Sequence, residues 1–405
     1  MRILFVSQLF DPENAIKGAA FAQQLQALGH QVEVVTTFPS YPGGRVFAGY
    51  HQSWRLIENV GGVRVVRVPS FISHGQSAGK RLLSYASFAI SAGWYSLFFA
   101  KKPDVIYAYY PPVMVGMMAL LLGWVRRVPF VYDVQDLWPE ALVGTGHIRT
   151  AGSMFKWIDR FCGWIYKRAA QVIVLSQGYR EILIGKGVPA EKVTCVYNWC
   201  DETRMQVVDE QPTAWRNVPG VFRVLYAGNL GAAQALSHVI DAAVLLQKSE
   251  DCHIHLVLLG DGVQGDALRA KAQGLQNVTF LPPVKVDEVG AYLQAADVLL
   301  VHLANEPVFD ITIPQKTQAY LLAGKPILMA VNGEAAALVV GAGAGIVVPP
   351  ENARALAQGM RLLAEMSPDD LADMGKKGAL FYRENMGMNH GVRTVESLLI
   401  QAASK

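Results

Sequence analysis

The hydrophobic residues of this chain fall into short runs that alternate with longer amphipathic stretches. Such runs, bounded by Gly, Pro or polar residues, are typical of buried strands in parallel α/β sheets. A helix is predicted over residues 18–29, where a small-residue turn precedes the apolar positions and Gly29 follows them. In the first half, the pattern predicts strands at residues 2–7, 31–36, 63–68, 104–109, 130–133, 171–175 and 193–197.

The same alternation begins again after a stretch without periodicity. It predicts an α/β fold with two doubly wound, Rossmann-like parallel sheets in series, and a ligand at the carboxyl ends of the strands in the cleft between them. The predicted strands are 222–227, 253–259, 278–281, 298–303, 327–330 and 345–348, with helices at 236–247, 266–273 and 286–296. The predicted domains are 1–205 and 221–381, joined by a linker at 206–220 and followed by a helix at 382–405 that packs back on the first domain.

One stretch, residues 306–327, combines a strand end, a Pro-punctuated loop, a helix start near Thr317 and a Gly-Lys-Pro exit. Backbone N–H groups and the helix dipole at such a start favour an anion, so we predict a phosphate site here. Lys316 is the one cation of this loop before the helix, and we expect it to compensate the charge of a departing phosphate. Glu306 and Asp310 are its carboxylates, and they could accept hydrogen bonds from sugar hydroxyls.

Two glycine-rich turns follow predicted strands in the second half. Gly228-Asn229-Leu-Gly231, with Gln234 after it, lets a ligand approach the backbone at the start of a helix, although it could equally be a plain turn. Gly260-Asp-Gly262 satisfies the local dinucleotide pattern, but the acidic residue that should follow about 20 positions later to bind a ribose is missing. A dehydrogenase is therefore disfavoured, and the second turn is expected to line a nucleobase pocket.

In the first half, polar and aromatic residues again follow strands. Asp133 ends the strand at 130–133, and Asp136 and Trp138 follow it; a carboxylate beside an indole suits a sugar. The alternative is that Asp136 caps the next segment while Trp138 packs in the core. Tyr109 ends the preceding strand.

Charge is distributed unevenly between the two halves. Residues 1–200 hold 20 Lys and Arg against 11 Asp and Glu, and the remainder hold 16 against 22. A basic half suggests an anionic surface or ligand, and scattered solvated side chains are the simpler alternative. The four cysteines include no Cys-x-x-Cys pair, and no histidine lies in a His-x-x-x-His pattern, so we expect a reducing cytoplasm and no metal.

Residues 82–100 are uncharged and lie between Lys80-Arg81 and Lys101-Lys102. Their length would suffice to span a bilayer. Ser, Gly and Tyr interrupt the stretch, however, and a core strand follows it at once. A buried helix is therefore favoured, then a helix that is partly core and partly resting on an anionic membrane, and last a true span.

Taken in order, these motifs resemble glycosyltransferase family 4, and within it bacterial surface-polysaccharide enzymes of the L-fucosamine transferase group. The resemblance rests on Asp133-Val-Gln-Asp-Leu-Trp-Pro-Glu, Tyr226-Ala-Gly-Asn-Leu-Gly, Gly260-Asp-Gly and Pro314-Gln-Lys-Thr through Ala-Gly-Lys-Pro-Ile327. It implies a GT-B fold and a metal-independent retaining transfer, without a cofactor, from a nucleoside-diphosphate sugar to a lipid-linked glycan at the inner membrane face. It implies no nucleic-acid partner.

The resemblance also assigns expected roles to residues of this chain. The catalytic group is expected to comprise Lys316, Glu306, Asp310 and Tyr109. The acceptor is expected at Gly18, Asp133, Asp136 and Trp138. Donor binding is expected at Gly228, Asn229, Gly231, Gln234, Gly260, Gly262, Pro283, Pro314, Gln315 and Thr317.

The chain departs from the family pattern at the two usual glutamates, whose positions hold Ile311 and Ala319. The carboxylate that commonly binds the ribose is therefore absent, and the charge of the diphosphate is left to Lys316 and helix dipoles. Two further hypotheses stay open on these grounds. A nucleotide-sugar epimerase would act without an acceptor, and a non-catalytic binding module would bind donor without turnover.

Overall fold

The computed structural model describes residues 1–72, 78–110, 113–140, 152–202, 205, 220–249 and 253–404. The chain divides into two compact units. The first comprises Met1–Tyr197 and Gly391–Lys405, and the second comprises Asn198–His390. Most of the predicted linker, and Cys252, lie outside the described residues.

The first unit is an eight-stranded sheet covered by helices. The strand order β3-β4-β2-β1-β5-β6-β7-β8 is doubly wound, and every pair is parallel except β3 and β4. The strands are β1 (Arg2–Ser7), β2 (Gln31–Thr37), β3 (Leu56–Val60), β4 (Val63–Val68), β5 (Val105–Tyr110), β6 (Phe130–Val134), β7 (Gln171–Val174) and β8 (Val193–Cys195). The helices are α1 (Ala19–Ala27), α2 (Ala78–Phe98), α3 (Met114–Arg126), α4 (Ser153–Arg168) and α5 (Gln177–Gly185).

The antiparallel strand β3 was not predicted. Its residues alternate between half-buried and exposed, as expected at a sheet edge, so it lacks the continuous apolar run of the central strands. The sequence nevertheless contains a hairpin signal, the consecutive glycines Gly61 and Gly62 between β3 and β4. Both residues adopt positive φ. Two such residues form the tight hairpin turn that matches strand twist.

The second unit is a six-stranded parallel sheet in the order β11-β10-β9-β12-β13-β14. Its strands are β9 (Phe222–Ala227), β10 (Ile254–Leu259), β11 (Val278–Leu281), β12 (Val298–His302), β13 (Ile327–Ala330) and β14 (Gly345–Val347). Its helices are α6 (Ser237–Lys248), α7 (Gly265–Lys271), α8 (Val286–Ala295), α9 (Pro307–Asp310), α10 (Gln315–Ala323), α11 (Glu334–Gly341), α12 (Ala353–Ala364) and α13 (Pro368–Asn385). The two-sheet prediction is confirmed.

The last helix, α14 (Met388–Ala403), carries the chain into the first unit from Gly391 onward. Its inner face buries Val392, Val395 and Leu399. His30 Nε2 and Glu396 Oε1 lie 2.8 Å apart, and the Gln171 amide donates to Gln401 Oε1 over 2.8 Å.

Helix α2 contains most of the long uncharged stretch at residues 82–100. Phe88, Ala92 and Tyr95 are buried in the core of the first unit, whereas Ile90 and Trp94 are 72% and 56% exposed. Among the described residues, no helix has both the length and the apolar character needed to cross a membrane.

Candidate functional site

A pocket of about 470 Å³ lies at the carboxyl ends of β9, β10 and β11 in the second unit. This is the edge at which doubly wound sheets bind ligands. One side is apolar and comes from the loop after β11 and from α8; the other comes from two strand-to-helix loops and the first turns of α10. The lining residues are Met205, Ala227, Gly228, Asn229, Leu259, Gly260, Asp261, Pro283, Val284, Val286, Val289, Leu293, Gln315, Lys316, Ala319 and Tyr320.

Lys316 is the cation of this pocket. Its Nζ is enclosed and has no hydrogen-bond partner among the described residues. It lies 3.6 Å from the centroid of the Tyr226 ring, within cation–π distance. Burial lowers the pKa of Lys316 to about 7, because a charge removed from water without a counter-ion is disfavoured. An anion in the pocket would supply that counter-ion.

Tyrosine side chains hold the lysine in position. The Tyr226 hydroxyl donates to the Asn229 carbonyl over 2.7 Å. The Tyr320 hydroxyl accepts from the Ala227 N–H at 2.9 Å and so ties α10 to the end of β9. Both tyrosines are buried. Sequence reasoning assigned neither a role, although Tyr226 stands in the glycine motif itself.

The two glycine loops are packed directly against each other. A Cβ on Gly260 would lie 2.1 Å from the Gly228 carbonyl oxygen, and both residues have strongly positive φ. A Cβ on Gly262 would meet Leu230 and Asn229 at 2.6 Å. Glycine is therefore required at positions 260 and 262 because the two loops are in contact, whether or not a ligand is bound.

The contact between the loops also uses most of the backbone N–H groups of residues 228–231. The N–H groups of Gly228 and Leu230 donate to the carbonyls of Leu259 and Asp261, each at 2.9 Å, and the Gly231 N–H donates to Gln234 Oε1 at 3.2 Å. These three donors are therefore occupied within the protein.

Of the expected donor-binding residues, the pocket wall contains Gly228, Asn229, Gly260, Pro283 and Gln315, and it also contains Lys316 of the expected catalytic group. Gly231, Gln234, Gly262, Pro314 and Thr317 are not among its lining residues, and Thr317 is fully buried. Glu306 and Asp310 lie exposed at the two ends of α9 and do not line the pocket.

Asp261 is the one carboxylate among the described lining residues. Its Oδ1 accepts from the Gly262 N–H at 2.8 Å, which orients the side chain at the loop. Asp261 was not predicted as a binding residue, because the dinucleotide pattern places its acidic residue about 20 positions after the turn and not inside it.

His302, at the end of β12, joins three loops and is not a lining residue of the pocket. Its Nδ1 lies 2.7 Å from the Gln234 carbonyl, and its Nε2 accepts from the Glu351 N–H at 3.2 Å. Burial lowers its pKa to about 4, so the ring is neutral at physiological pH.

In the first unit, the structure corrects the role expected for Asp133. Its carboxylate is fully buried, forms an ion pair with Lys17, and accepts hydrogen bonds from the Tyr107 hydroxyl and the Gln135 amide. Since both oxygens are occupied inside the protein, Asp133 holds together the ends of β5 and β6 and is not exposed to an acceptor.

The other expected acceptor-binding residues, and Tyr109 of the expected catalytic group, are placed differently. Gly18 precedes α1, where the Asp11 carboxylate accepts from the Ala19 N–H at 2.6 Å. Tyr109 is buried beside Lys17, and burial raises its pKa, which argues against a role as a general base. Trp138 packs partly against the core, whereas Asp136 is exposed.

Comparison with known proteins agrees with this architecture. Residues 19–199 match the glycosyl transferase 4-like domain, and residues 221–366 match the glycosyl transferases group 1 family. The chain is 30% identical over 376 residues to the putative colanic acid biosynthesis glycosyl transferase WcaI of Escherichia coli K12, covering 89% of this chain and 91% of WcaI. The chain belongs to the GT-B glycosyltransferases.

Two further comparisons extend the likeness. The probable glycosyltransferase WbjE of Pseudomonas aeruginosa is 25% identical over 283 residues, which cover 68% of this chain and 69% of WbjE. The crystal structure of Anabaena HepE in complex with UDP superposes with a TM-score of 0.70 at 18% identity, covering 99% of this glycosyltransferase and 100% of HepE. At that identity the structural likeness supports the shared fold.

Proposed function

We propose that this glycosyltransferase transfers a sugar, with retention of configuration and without a metal, from a UDP-linked donor to a lipid-linked glycan in surface-polysaccharide synthesis. The observation that carries the proposal is the enclosed Lys316 Nζ, which faces a nucleotide-sized pocket without a hydrogen-bond partner among the described residues. WcaI is named for colanic acid synthesis, and HepE was crystallised with UDP. An N-acetylated deoxysugar of the fucosamine type is the first candidate donor sugar.

In this proposal, different parts of the pocket bind the nucleobase, the ribose and the diphosphate of the donor. Val284, Val286 and Val289 offer an apolar wall to the nucleobase, and Asp261 accepts a ribose hydroxyl in place of the family glutamate replaced by Ala319. Lys316 and the start of α10 bind the diphosphate.

Transfer then needs little side-chain acid–base chemistry. The bond between the anomeric carbon and the diphosphate oxygen breaks, the acceptor oxygen bonds to that carbon on the same face, and the departing diphosphate takes the acceptor proton while Lys316 stabilises its charge.

The first unit has features suited to a membrane-borne acceptor. Helices α2, α3 and α4 carry seven Lys and Arg against one Asp. They expose Ile90, Trp94, Trp124 and Trp157, with Trp124 78% exposed. An apolar face rimmed by cations is the pattern that attaches to anionic bilayers. We therefore propose a peripheral position at the inner face of the cell membrane, reached through the region around residues 80–102.

The donor half of the proposal is tested with a thermal-shift panel of UDP-, GDP- and dTDP-sugars. A ligand that binds the folded state raises the unfolding temperature by mass action, and UDP-sugars are expected to do so most strongly. Equal shifts from all three bases would contradict a UDP donor. Binding without any transfer to lipid-linked glycans would instead favour the non-catalytic module, and product from donor alone would favour an epimerase.

The catalytic half is tested at Lys316. The change Lys316→Ala is expected to remove most transfer activity, at least about a hundredfold, because the departing diphosphate loses its cation. Lys325→Ala, at the other end of α10 and outside the pocket wall, is the matched control. Near-normal turnover by a folded Lys316→Ala variant would exclude this role.

A further inference from the structure

One wall residue of the pocket around Lys316 comes from the segment that connects the two units. The second unit begins at Asn198, and Met205 follows soon after. Met205 is half-buried and lines the pocket, whereas every other described lining residue lies between Ala227 and Tyr320. We call the described residues 198–202 and 205 the connecting segment. This segment therefore reaches a site that the second sheet and its loops otherwise form.

Hydrogen bonds fix the connecting segment against α13. The Met205 N–H donates to the Asp201 carbonyl over 3.0 Å and so ties Met205 back to the start of the segment. The Glu202 carboxylate accepts from the Tyr382 hydroxyl, on α13, over 2.9 Å. The same hydroxyl accepts from the Cys200 N–H at 3.2 Å. Because Tyr382 is fully buried, these contacts hold the backbone that carries Met205 in one place.

Glu202 also joins the outgoing connection between the units to the returning one. The chain enters the second unit after Tyr197 and leaves it after His390. Met388, which precedes that exit, donates its N–H to the same Glu202 oxygen over 2.7 Å. One carboxylate oxygen thus binds both connections. Met205 lies beside this junction in sequence and in the donor pocket in space.

The side chain of Met205 suits the base of a nucleotide better than its other parts. A thioether carries no charge and no hydrogen-bond donor, so it neither compensates a diphosphate nor binds ribose hydroxyls well. Its polarisable sulfur packs favourably against an aromatic ring. Val284, Val286 and Val289 already provide one apolar part of the wall, and Met205 adds apolar surface from a separate part of the chain.

We propose that Met205 packs against the nucleobase of the donor, and that Glu202 and Tyr382 are positioning residues that hold Met205 for this contact. Nucleotide binding then also restrains the two connections that Glu202 ties together. This inference rests on the proposed function, whose donor site it extends. Sequence reasoning expected no residue of the connecting segment to contact the donor.

The contact with the base is tested by calorimetry of the full chain with UDP, and with uridine and inorganic pyrophosphate in competition with UDP. Met205→Ala should weaken UDP and uridine about tenfold each and leave pyrophosphate unchanged, because only the base loses apolar contact. Met205→Leu keeps that contact and should restore most of the affinity.

Met366→Ala is the matched control, because Met366 is another partly buried methionine of the second unit and does not line the pocket. It should leave UDP binding unchanged. An unchanged UDP affinity in Met205→Ala, or an equal loss for pyrophosphate, would overturn the inference.

The positioning role is tested with a double-mutant cycle. Tyr382→Phe removes the hydroxyl that donates to Glu202 and should weaken UDP about threefold. In a chain that already carries Met205→Ala, the same change should have no further effect, because no side chain is left to position. Glu202→Gln keeps an oxygen for Tyr382 and Met388 and should bind UDP like the unmodified chain. A threefold loss that persists without the Met205 side chain would show that Tyr382 acts by another route.

The restraint on the two connections is measured by hydrogen exchange at the Met388 amide, with and without saturating UDP. UDP should slow this exchange in the unmodified chain about tenfold and should not slow it in Met205→Ala. Equal protection in both chains would contradict the link between the pocket and the connections.

These outcomes separate this inference from the proposed function. If UDP binds the unmodified chain and Met205→Ala equally well, the assignment of Met205 fails while the proposed donor stands. If UDP does not bind the unmodified chain, the proposed UDP donor fails, and the inference fails with it.

Discussion

At the residue scale, the proposed chemistry of this glycosyltransferase centres on Lys316, a buried lysine of the donor pocket. Lys316 is held over the Tyr226 ring, with no hydrogen-bond partner for its Nζ among the described residues. An enclosed amine of this kind is unfavourable in the free protein and favourable with a diphosphate beside it. Burial of this amine therefore lowers the stability of the free protein and is expected to strengthen the binding of a diphosphate.

This burial predicts a pH dependence for the free protein and for binding. The pKa of Lys316 is about 7 in the folded chain and 10.5 when unperturbed. Between these two pH values the unfolded state binds more protons than the folded state. This residue therefore makes the free energy of unfolding increase as the pH rises from about 7 to 10.5. A bound diphosphate raises the pKa again, so UDP binding at about pH 8 should take up to one proton and weaken as pH rises.

The proton uptake is measured by calorimetry of UDP binding in two buffers of different ionisation enthalpy. Lys316→Met should abolish the uptake, and Lys325→Met should retain it, since Lys325 lies outside the pocket wall. An uptake that persists in Lys316→Met would assign the proton to another group.

At the element scale, two strand-to-helix loops act as one unit because their glycines touch. Gly260→Ala places a Cβ 2.1 Å from the Gly228 carbonyl, so the loops must separate. We expect a destabilisation of about 3 kcal/mol or more, and weaker UDP binding, because the loops carry part of the pocket.

The control for this prediction is Gly274→Ala. Gly274 also has positive φ, but open space surrounds it, so this variant reports backbone strain without the contact between loops. Chemical denaturation of both variants gives the comparison. Similar free energies of unfolding for the two would show that the close approach of Gly228 and Gly260 is unimportant.

Helices α2 and α3 carry the exposed apolar residues of the proposed membrane attachment. Trp94→Ser combined with Trp124→Ser should reduce binding to phosphatidylglycerol vesicles about tenfold or more, because each indole removes a large apolar surface from water when it enters the interface. Vesicle co-sedimentation measures the effect, with phosphatidylcholine vesicles to show the charge dependence.

The matched control replaces exposed leucines of the second unit, Leu362→Ser and Leu380→Ser. These should leave vesicle binding unchanged. Equal binding to neutral and anionic vesicles by the unmodified chain would argue against a role for the basic residues beside the apolar face.

At the scale of the whole molecule, the order of the chain and the order of the units differ. The segment after His390 belongs to the first unit, although the second unit precedes it in sequence. A chain that ends at His390 should therefore destabilise the first unit by several kcal/mol, since each buried Val or Leu of α14 contributes about 1.5–3 kcal/mol.

Differential scanning calorimetry with and without UDP checks this expectation. The transition that UDP raises should persist in the shortened chain, while the other transition moves to lower temperature or disappears. A chain that ends at Ala403 retains the buried face of α14 and serves as control. Unchanged transitions in the His390 variant would contradict the assignment.

Sequence by itself determined the two parallel sheets and most strand positions, and it singled out the loop of Lys316, which lines a pocket of the second unit. These follow from local signals: apolar runs that a doubly covered sheet must bury, and glycines where a strand turns into a helix. The edge strand β3 and the short helix α9 were missed because each is short and partly exposed, so neither carries a continuous apolar pattern.

Tertiary structure alone decided which polar residues are available for chemistry. Asp133 and Glu13 are both carboxylates near strand ends, but Lys17 and Tyr107 occupy the first, whereas the second keeps a free oxygen because the Ser40 and Tyr41 amides use only the other one. These partners are distant in sequence, so no local pattern could assign them. The desolvation of Lys316 likewise depends on Tyr226, which reaches it only when the sheet has formed.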